Sequence, residues 1–139
     1  MSSIGVILST KPGDYTFTEA DWNHESEAVV AKLGKEAGFN VYLASKAAAE
    51  RAVWEFRDQH KPKFSLAAIN PCFVTGPSVI PVSSPKASVQ GTPGFVDIRD
   101  VARAVVFGVE NPDRVDGERF ILAAFYEAAW LHAENWWFK

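Results

Sequence analysis

The sequence predicts an α/β fold with a mainly parallel sheet. Short apolar runs alternate with segments of helical periodicity, and Pro- and Gly-containing turns separate the two kinds of segment. The apolar run at 64–69 gives way to an irregular loop, as at the carboxyl end of a parallel strand.

Residues 3–8 form a short β-branched run closed by Lys11-Pro12-Gly13, which predicts a buried strand followed by a turn. Thr18-Glu-Ala-Asp21 has the composition of a helix cap, since a Thr hydroxyl can satisfy an orphan N–H and an acid three residues on complements a helix N-terminus. A helix over 28–36 follows, broken by Gly38. Alanines with Glu50, Arg51 and Glu55 predict a long helix over 42–59, its apolar side at Leu43, Ala47, Val53 and Phe56, ended by Pro62. A strand over 64–69 leads into an irregular segment at 70–77, the kind of strand end where open α/β sheets bind ligands. Residues 78–94 read as a Ser/Pro/Gly loop. Then come a strand at 95–98, an N-cap at Asp100, and a helix with Val101, Ala102, Val105, Val106 and Val109 on one face, ending at Asn111-Pro112. The last strand is expected at 117–122.

Composition narrows the function. A chain of 139 residues that is 47% hydrophobic can bury a single-domain core. Its 14 basic and 17 acidic residues give a net charge of -3, without the basic excess that binding to nucleic acid or to an anionic membrane demands, so neither partner is expected. One cysteine and three scattered histidines, His24, His60 and His132, offer no metal-ligand spacing and no internal disulfide. The opening residues lack the character of a signal peptide, and no apolar run approaches the ~20 residues of a membrane span. A soluble, cytoplasmic protein is expected. Cys72 reads as a buried inert thiol, and Asp97, Arg99 and Asp100 as a helix cap with a local ion pair.

The segment Tyr42-Leu-Ala-Ser-Lys46 sets a phenol and an ammonium four positions apart, on one face of the predicted helix. A free phenol titrates near ~10, and an adjacent ammonium favours its ionised form, the tuning that general-acid catalysis uses. Spacing alone does not separate this reading from an ordinary pair on a wet helix face.

The neighbouring segments extend the pattern. Ser2-Ser3 heads a predicted strand, and Tyr42-x-x-Ser45-Lys46 opens a helix containing Trp54-Glu-Phe56. Asn70-Pro-Cys-Phe-Val-Thr-Gly-Pro77 and Phe95-Val-Asp-Ile-Arg-Asp-Val-Ala102 follow in that order. In this the chain resembles the extended short-chain dehydrogenases/reductases, which are epimerase/dehydratase-like, and most closely the ketone, aldehyde and dihydroflavonol reductases. The resemblance implies part of a Rossmann-like, doubly wound parallel sheet with flanking helices over residues 1–122, followed at 123–139 by a divergent aromatic helix or tail. It implies an oxidoreductase that reduces a small ketone or aldehyde with NADP(H), or NAD(H). Tyr42 would be the proton donor, Lys46 would tune it and bond the nicotinamide ribose, and Ser3 rather than Ser2 would hold the carbonyl. Pro71 and Val74 match the loop beside the nicotinamide.

Two departures open a second reading. The Gly-rich turn that cradles the cofactor pyrophosphate has no match, since Gly34 and Gly38 have the wrong spacing and no preceding strand. Ser2-Ser3 also matches a point well inside the family's fold, so the first half of the nucleotide-binding domain is expected to be missing. A non-enzymatic interaction module is therefore the alternative. Uncovered strand edges and the aromatic tail, with Trp130, Trp136 and Trp137, predict a homo-oligomer.

Overall fold

The computed structural model describes residues 1–77 and 94–124. The loop expected at 78–94 lies almost wholly, and the aromatic tail from 125 on wholly, outside the described residues. Helices α1 (Glu25–Leu33) and α2 (Phe39–His60) precede strands β1 (Ala68–Pro71) and β2 (Phe73–Thr75). Strand β3 (Phe95–Asp97), helices α3 (Ile98–Glu110) and α4 (Pro112–Val115), and strand β4 (Arg119–Leu122) follow. No described helix is long and apolar enough to cross a membrane.

The strands form two parallel pairs. In one, Ala68 faces Arg119 and Pro71 faces Leu122; in the other, Phe73 faces Phe95 and Thr75 faces Asp97. The Cys72 N–H bonds to the Leu122 carbonyl at 2.9 Å, and the Ala124 N–H to the Phe95 carbonyl at 2.6 Å, stitching the pairs together. The parallel pairing of these strands, with α3 and α4 between β3 and β4 in the chain, is what the sequence pattern predicts.

Residues 3–8 depart from the prediction. Residues 3–7 are buried and Leu8 partly so, with Val6 and Ile7 at 0% exposure, but as a 3-10 turn over Ile4–Val6 rather than a strand. The Ser3 hydroxyl accepts from the Gly5 N–H at 3.2 Å, and the N–H groups of Val6 and Ile7 turn back to Ser3 and Ile4. Sideways, the Ser2 N–H bonds the Ile69 carbonyl at 2.7 Å, and the Val6 carbonyl accepts from the Asn23 N–H at 2.6 Å. Apolar composition dictates burial; a Ser cap and a glycine decide that the buried backbone curls.

Thr18 and Asp21 close a free-standing turn and cap no helix. The Asp21 carboxylate accepts from the Thr18 N–H at 2.9 Å, and this bond leads in holding its carboxyl below the usual range. Helix α1 begins later, where the Asn23 side-chain oxygen takes the Ser26 N–H at 3.0 Å. Helix α2 starts three residues before the expected Tyr42, at Phe39, and ends where Lys61 turns left-handed ahead of Pro62. Its buried side is Ala44, Ala47 and Glu50, whereas Val53 and Phe56 are exposed. Small side chains let the helix approach the Ser3 turn closely. A Cβ built on Gly5 would meet Leu43 Cδ2 at 2.5 Å.

Strand β1 begins late in the predicted 64–69 run, because the Ala68 N–H, bonded to the Glu118 carbonyl, is where pairing with β4 begins, and it runs on to Pro71. With β2 at Phe73–Thr75, most of the segment expected to be irregular at 70–77 is strand, because β4 and β3 pair with it. The cap of α3 is Asp97, which accepts from the Arg99 N–H at 2.8 Å, and not Asp100. Of the apolar face predicted for α3, Val101 is buried and Val105, Val106 and Val109 are exposed. Ile4, Ile7 and Cys72 centre a small core, with Leu8, Phe17, Ile121 and Ala123 packed around it.

Candidate functional site

The Ser3 turn and helix α2 bring together three of the residues singled out from the sequence. The Tyr42 hydroxyl donates to Ser3 Oγ at 3.3 Å, across 39 positions of chain. Ser3 Oγ also accepts from the Gly5 N–H, so the hydroxyl is fixed at the head of its own turn. Ser3 is buried, whereas Tyr42 is 43% exposed. Its ring stacks on Phe39 at 5.4 Å, and its main-chain carbonyl accepts from Ser45 Oγ at 2.7 Å. One turn along the helix, Lys46 Nζ stands 5.8 Å from the centre of the Tyr42 ring. A phenol open on one side, a cation beside its ring and a hydroxyl bonded to its oxygen form a unit that can hand a proton to a bound acceptor.

The remaining candidates sit on the adjoining strands. Pro71 is buried at the end of β1, opposite Leu122, and Val74 is 43% exposed in the middle of β2, opposite Val96. No described hydrogen bond joins either to Ser3, Tyr42 or Lys46, although their neighbour Asn70 does reach Ser3. Ser2 contributes its backbone N–H to β1.

No family model matches the chain. A putative NADPH-dependent methylglyoxal reductase of Candida albicans is 35% identical over 101 residues, covering 59% of this chain and 29% of the relative. A putative oxidoreductase of Schizosaccharomyces pombe is 32% identical over 137 residues, covering 86% and 40%. The structure of Gre2 from Candida albicans in complex with NADPH superposes with a TM-score of 0.70 at 32% identity, covering 88% of this chain and 41% of that one. Yeast methylglyoxal/isovaleraldehyde reductase Gre2, also complexed with NADPH, gives 0.68 at 27% identity. The chain belongs to the extended short-chain dehydrogenases/reductases. It spans about two fifths of the length of the reductases matched over most of it.

Within this short-chain reductase scaffold the structure adds polar residues that sequence reasoning passed over. Glu50, two helical turns beyond Tyr42, is only 5% exposed. One of its carboxylate oxygens takes Arg119 Nε at 2.6 Å and Trp54 Nε1 at 3.4 Å; the other takes Asn70 Nδ2 at 3.0 Å. Asn70, 0% exposed, also directs Nδ2 to the Ser3 carbonyl at 3.4 Å. Arg119 lies over the Trp22 ring at 3.9 Å and donates to the carbonyls of Glu19 and Asp21. A second buried set centres on Asn23, whose Nδ2 donates to the Gly5 carbonyl at 3.0 Å and to Ser26 Oγ at 2.9 Å. The available signal was Glu50 itself, an acid in register with Lys46 at i+4 among alanines.

The lesser sites are structural. The Asp97–Arg99 pair closes at 2.6 Å, and the bonds from Arg99 hold the Asp97 carboxyl down at about 2. Asp100 pairs with Arg103 at 2.8 Å. Cys72 is buried, and burial pushes its thiol up, away from the reactive thiolate.

Proposed function

We propose that this chain carries the proton-donating machinery of an NADPH-dependent reduction of a small ketone or aldehyde, the class to which the methylglyoxal of its relatives' names belongs. The observation that carries the reading is the hydrogen bond from Tyr42 to Ser3 with Lys46 beside the phenol ring. In this mechanism the Ser3 hydroxyl, anchored by the Gly5 N–H, orients the substrate carbonyl oxygen. Tyr42 gives its proton to that oxygen as negative charge develops there. The Lys46 ammonium offsets the charge left on the phenolate, and its remaining donors would hold the nicotinamide ribose.

NADPH, when bound, supplies the hydride. The donor set fits the nicotinamide-ribose end of that cofactor, because the exposed Tyr42 and the half-buried Lys46 share one open helix face. Pro71 and Val74 would contribute backbone groups toward the carboxamide. The second reading is a non-enzymatic module that binds partners. The apolar residues Val105, Val106 and Val109 left exposed on α3 support self-association in either case.

Titration of the purified chain with NADPH, followed by quenching of its five tryptophans, separates the two readings. Saturable sub-millimolar binding, with carbonyl reduction that falls by roughly 10²–10⁴ in Tyr42→Phe, supports the reductase. Absence of binding at millimolar NADPH supports the silent module. Light scattering that finds a monomer at tens of micromolar would count against self-association.

A further inference from the structure

Helix α2 reaches Ser3 by two routes, one direct and one through Asn70. At its start Tyr42 bonds the Ser3 hydroxyl; two turns later Glu50 grips the Asn70 amide, which bonds the Ser3 carbonyl. We infer that Glu50 and Asn70 are positioning residues that hold Ser3 in register with Tyr42. For its catalytic consequence this rests on the reductase reading above.

The chemistry of each group supports the assignment. A carboxylate only accepts hydrogen bonds, so Glu50 dictates that Asn70 present its NH₂ rather than its oxygen, and the same NH₂ then faces the Ser3 carbonyl. Asn70 Oδ1 has no hydrogen-bond partner among the described residues, so the amide's orientation is set from its nitrogen side. Burying an acid at 5% exposure is unfavourable unless it is paired, and Arg119 supplies the pairing from β4 through one oxygen. An ion pair that served stability alone would not need the other oxygen turned toward Asn70. The Ser3 carbonyl otherwise receives the Val6 N–H of its own turn at 3.0 Å, which shapes the turn but does not tie it to α2. The circuit through α2, Tyr42, Ser3, Asn70 and Glu50 closes on itself, so a shift of Ser3 relative to the phenol must break one of its bonds.

The test uses the full chain, isotope-labelled, with Asn70→Ala and Asn70→Ser. The serine variant keeps a polar group at the buried position but is too short to span from Glu50 to Ser3, and it serves if the alanine variant does not fold. Two signals report on Ser3 without cofactor: hydrogen exchange of the Gly5 N–H, which bonds Ser3 Oγ, and the Tyr42 Cζ resonance, which senses the phenol's hydrogen bond. In a folded variant, Gly5 exchange is expected to rise about tenfold, the effect of one lost buried hydrogen bond. The Tyr42 resonance should move with it, while amides of α3 exchange as in the parent. An unmoved Tyr42 resonance, or Gly5 exchange rising only in step with α3, would overturn the assignment. Where the parent reduces a carbonyl, the variant should lose kcat with the KM for NADPH unchanged. A parent without activity whose variant shows the Gly5 and Tyr42 responses sinks the reductase reading alone. An active parent whose variant lacks those responses sinks the positioning role alone.

Discussion

Replacing Arg119 with methionine keeps most of the side chain's apolar length and removes the cation facing Glu50. The two side chains are 10% and 3% exposed and meet at 2.6 Å, so water cannot take over the solvation of the stranded carboxylate. Removing one partner of a pair buried to this degree costs about 3–5 kcal/mol. Loss of the bonds to the Glu19 and Asp21 carbonyls and of the stacking on Trp22 adds to that. Against a total stability of roughly 5–15 kcal/mol the change should be plain in a urea titration, as a large fall in midpoint at unchanged slope. Adding Glu50→Gln removes the second charge while leaving an oxygen for Asn70 to donate to. The double variant should therefore be more stable than Arg119→Met alone, a coupling of opposite sign to simple addition. A single-variant cost below about 1 kcal/mol, or a double variant whose loss equals the sum of the two singles, would refute the view that the charges depend on each other.

Other consequences are open to measurement. Asp97 titrates at about 2 in the folded chain against an ordinary 3.8, so its contribution as cap and ion-pair partner is complete above pH ~4 and fades as pH falls through about 2. Asp97→Ala should accordingly melt below the parent at neutral pH, and the two melting temperatures should converge on acidification; a constant gap would disprove the linkage. Asn23→Ala strands the Gly5 carbonyl and the Ser26 N–H in the first turn of α1, and should cost about 2–3 kcal/mol in chemical denaturation. Gly117 has φ of +82° and lies under the Arg57 guanidinium, 2.8 Å from where a Cβ would sit. Gly117→Ala should lower stability by roughly 1–2 kcal/mol from backbone strain, and a neutral or stabilising result would mean the turn relaxes freely.

Local chemistry made part of the site legible. Tyr42 and Lys46 share a face because any helix brings i and i+4 together, and the Phe39–His60 helix needed only its alanines and charged residues to be foreseen. The strand at Arg119–Leu122 and the stop at Asn111-Pro112 were equally local. Where reasoning from pattern failed, two local tendencies competed. Residues 3–8 are apolar enough for a strand, yet Ser3 and Gly5 favour a capped turn, and Asp97 and Asp100 are both good caps until packing selects one.

By itself the sequence determined the alternation of strands and helices, the common face of Tyr42 and Lys46, and, through the order of its motifs, membership in the short-chain reductases. Those features depend on periodicity and on residues close together in the chain. Tertiary structure alone decided that Val53 and Phe56 face outward while Glu50 faces inward, that Arg119 meets Glu50 across 69 positions, and that Asn70 reaches back 67 positions to Ser3. The physical reason lies in the distances: a buried charge is tolerable only where a remote partner arrives to neutralise it, and no short stretch of sequence records that arrival.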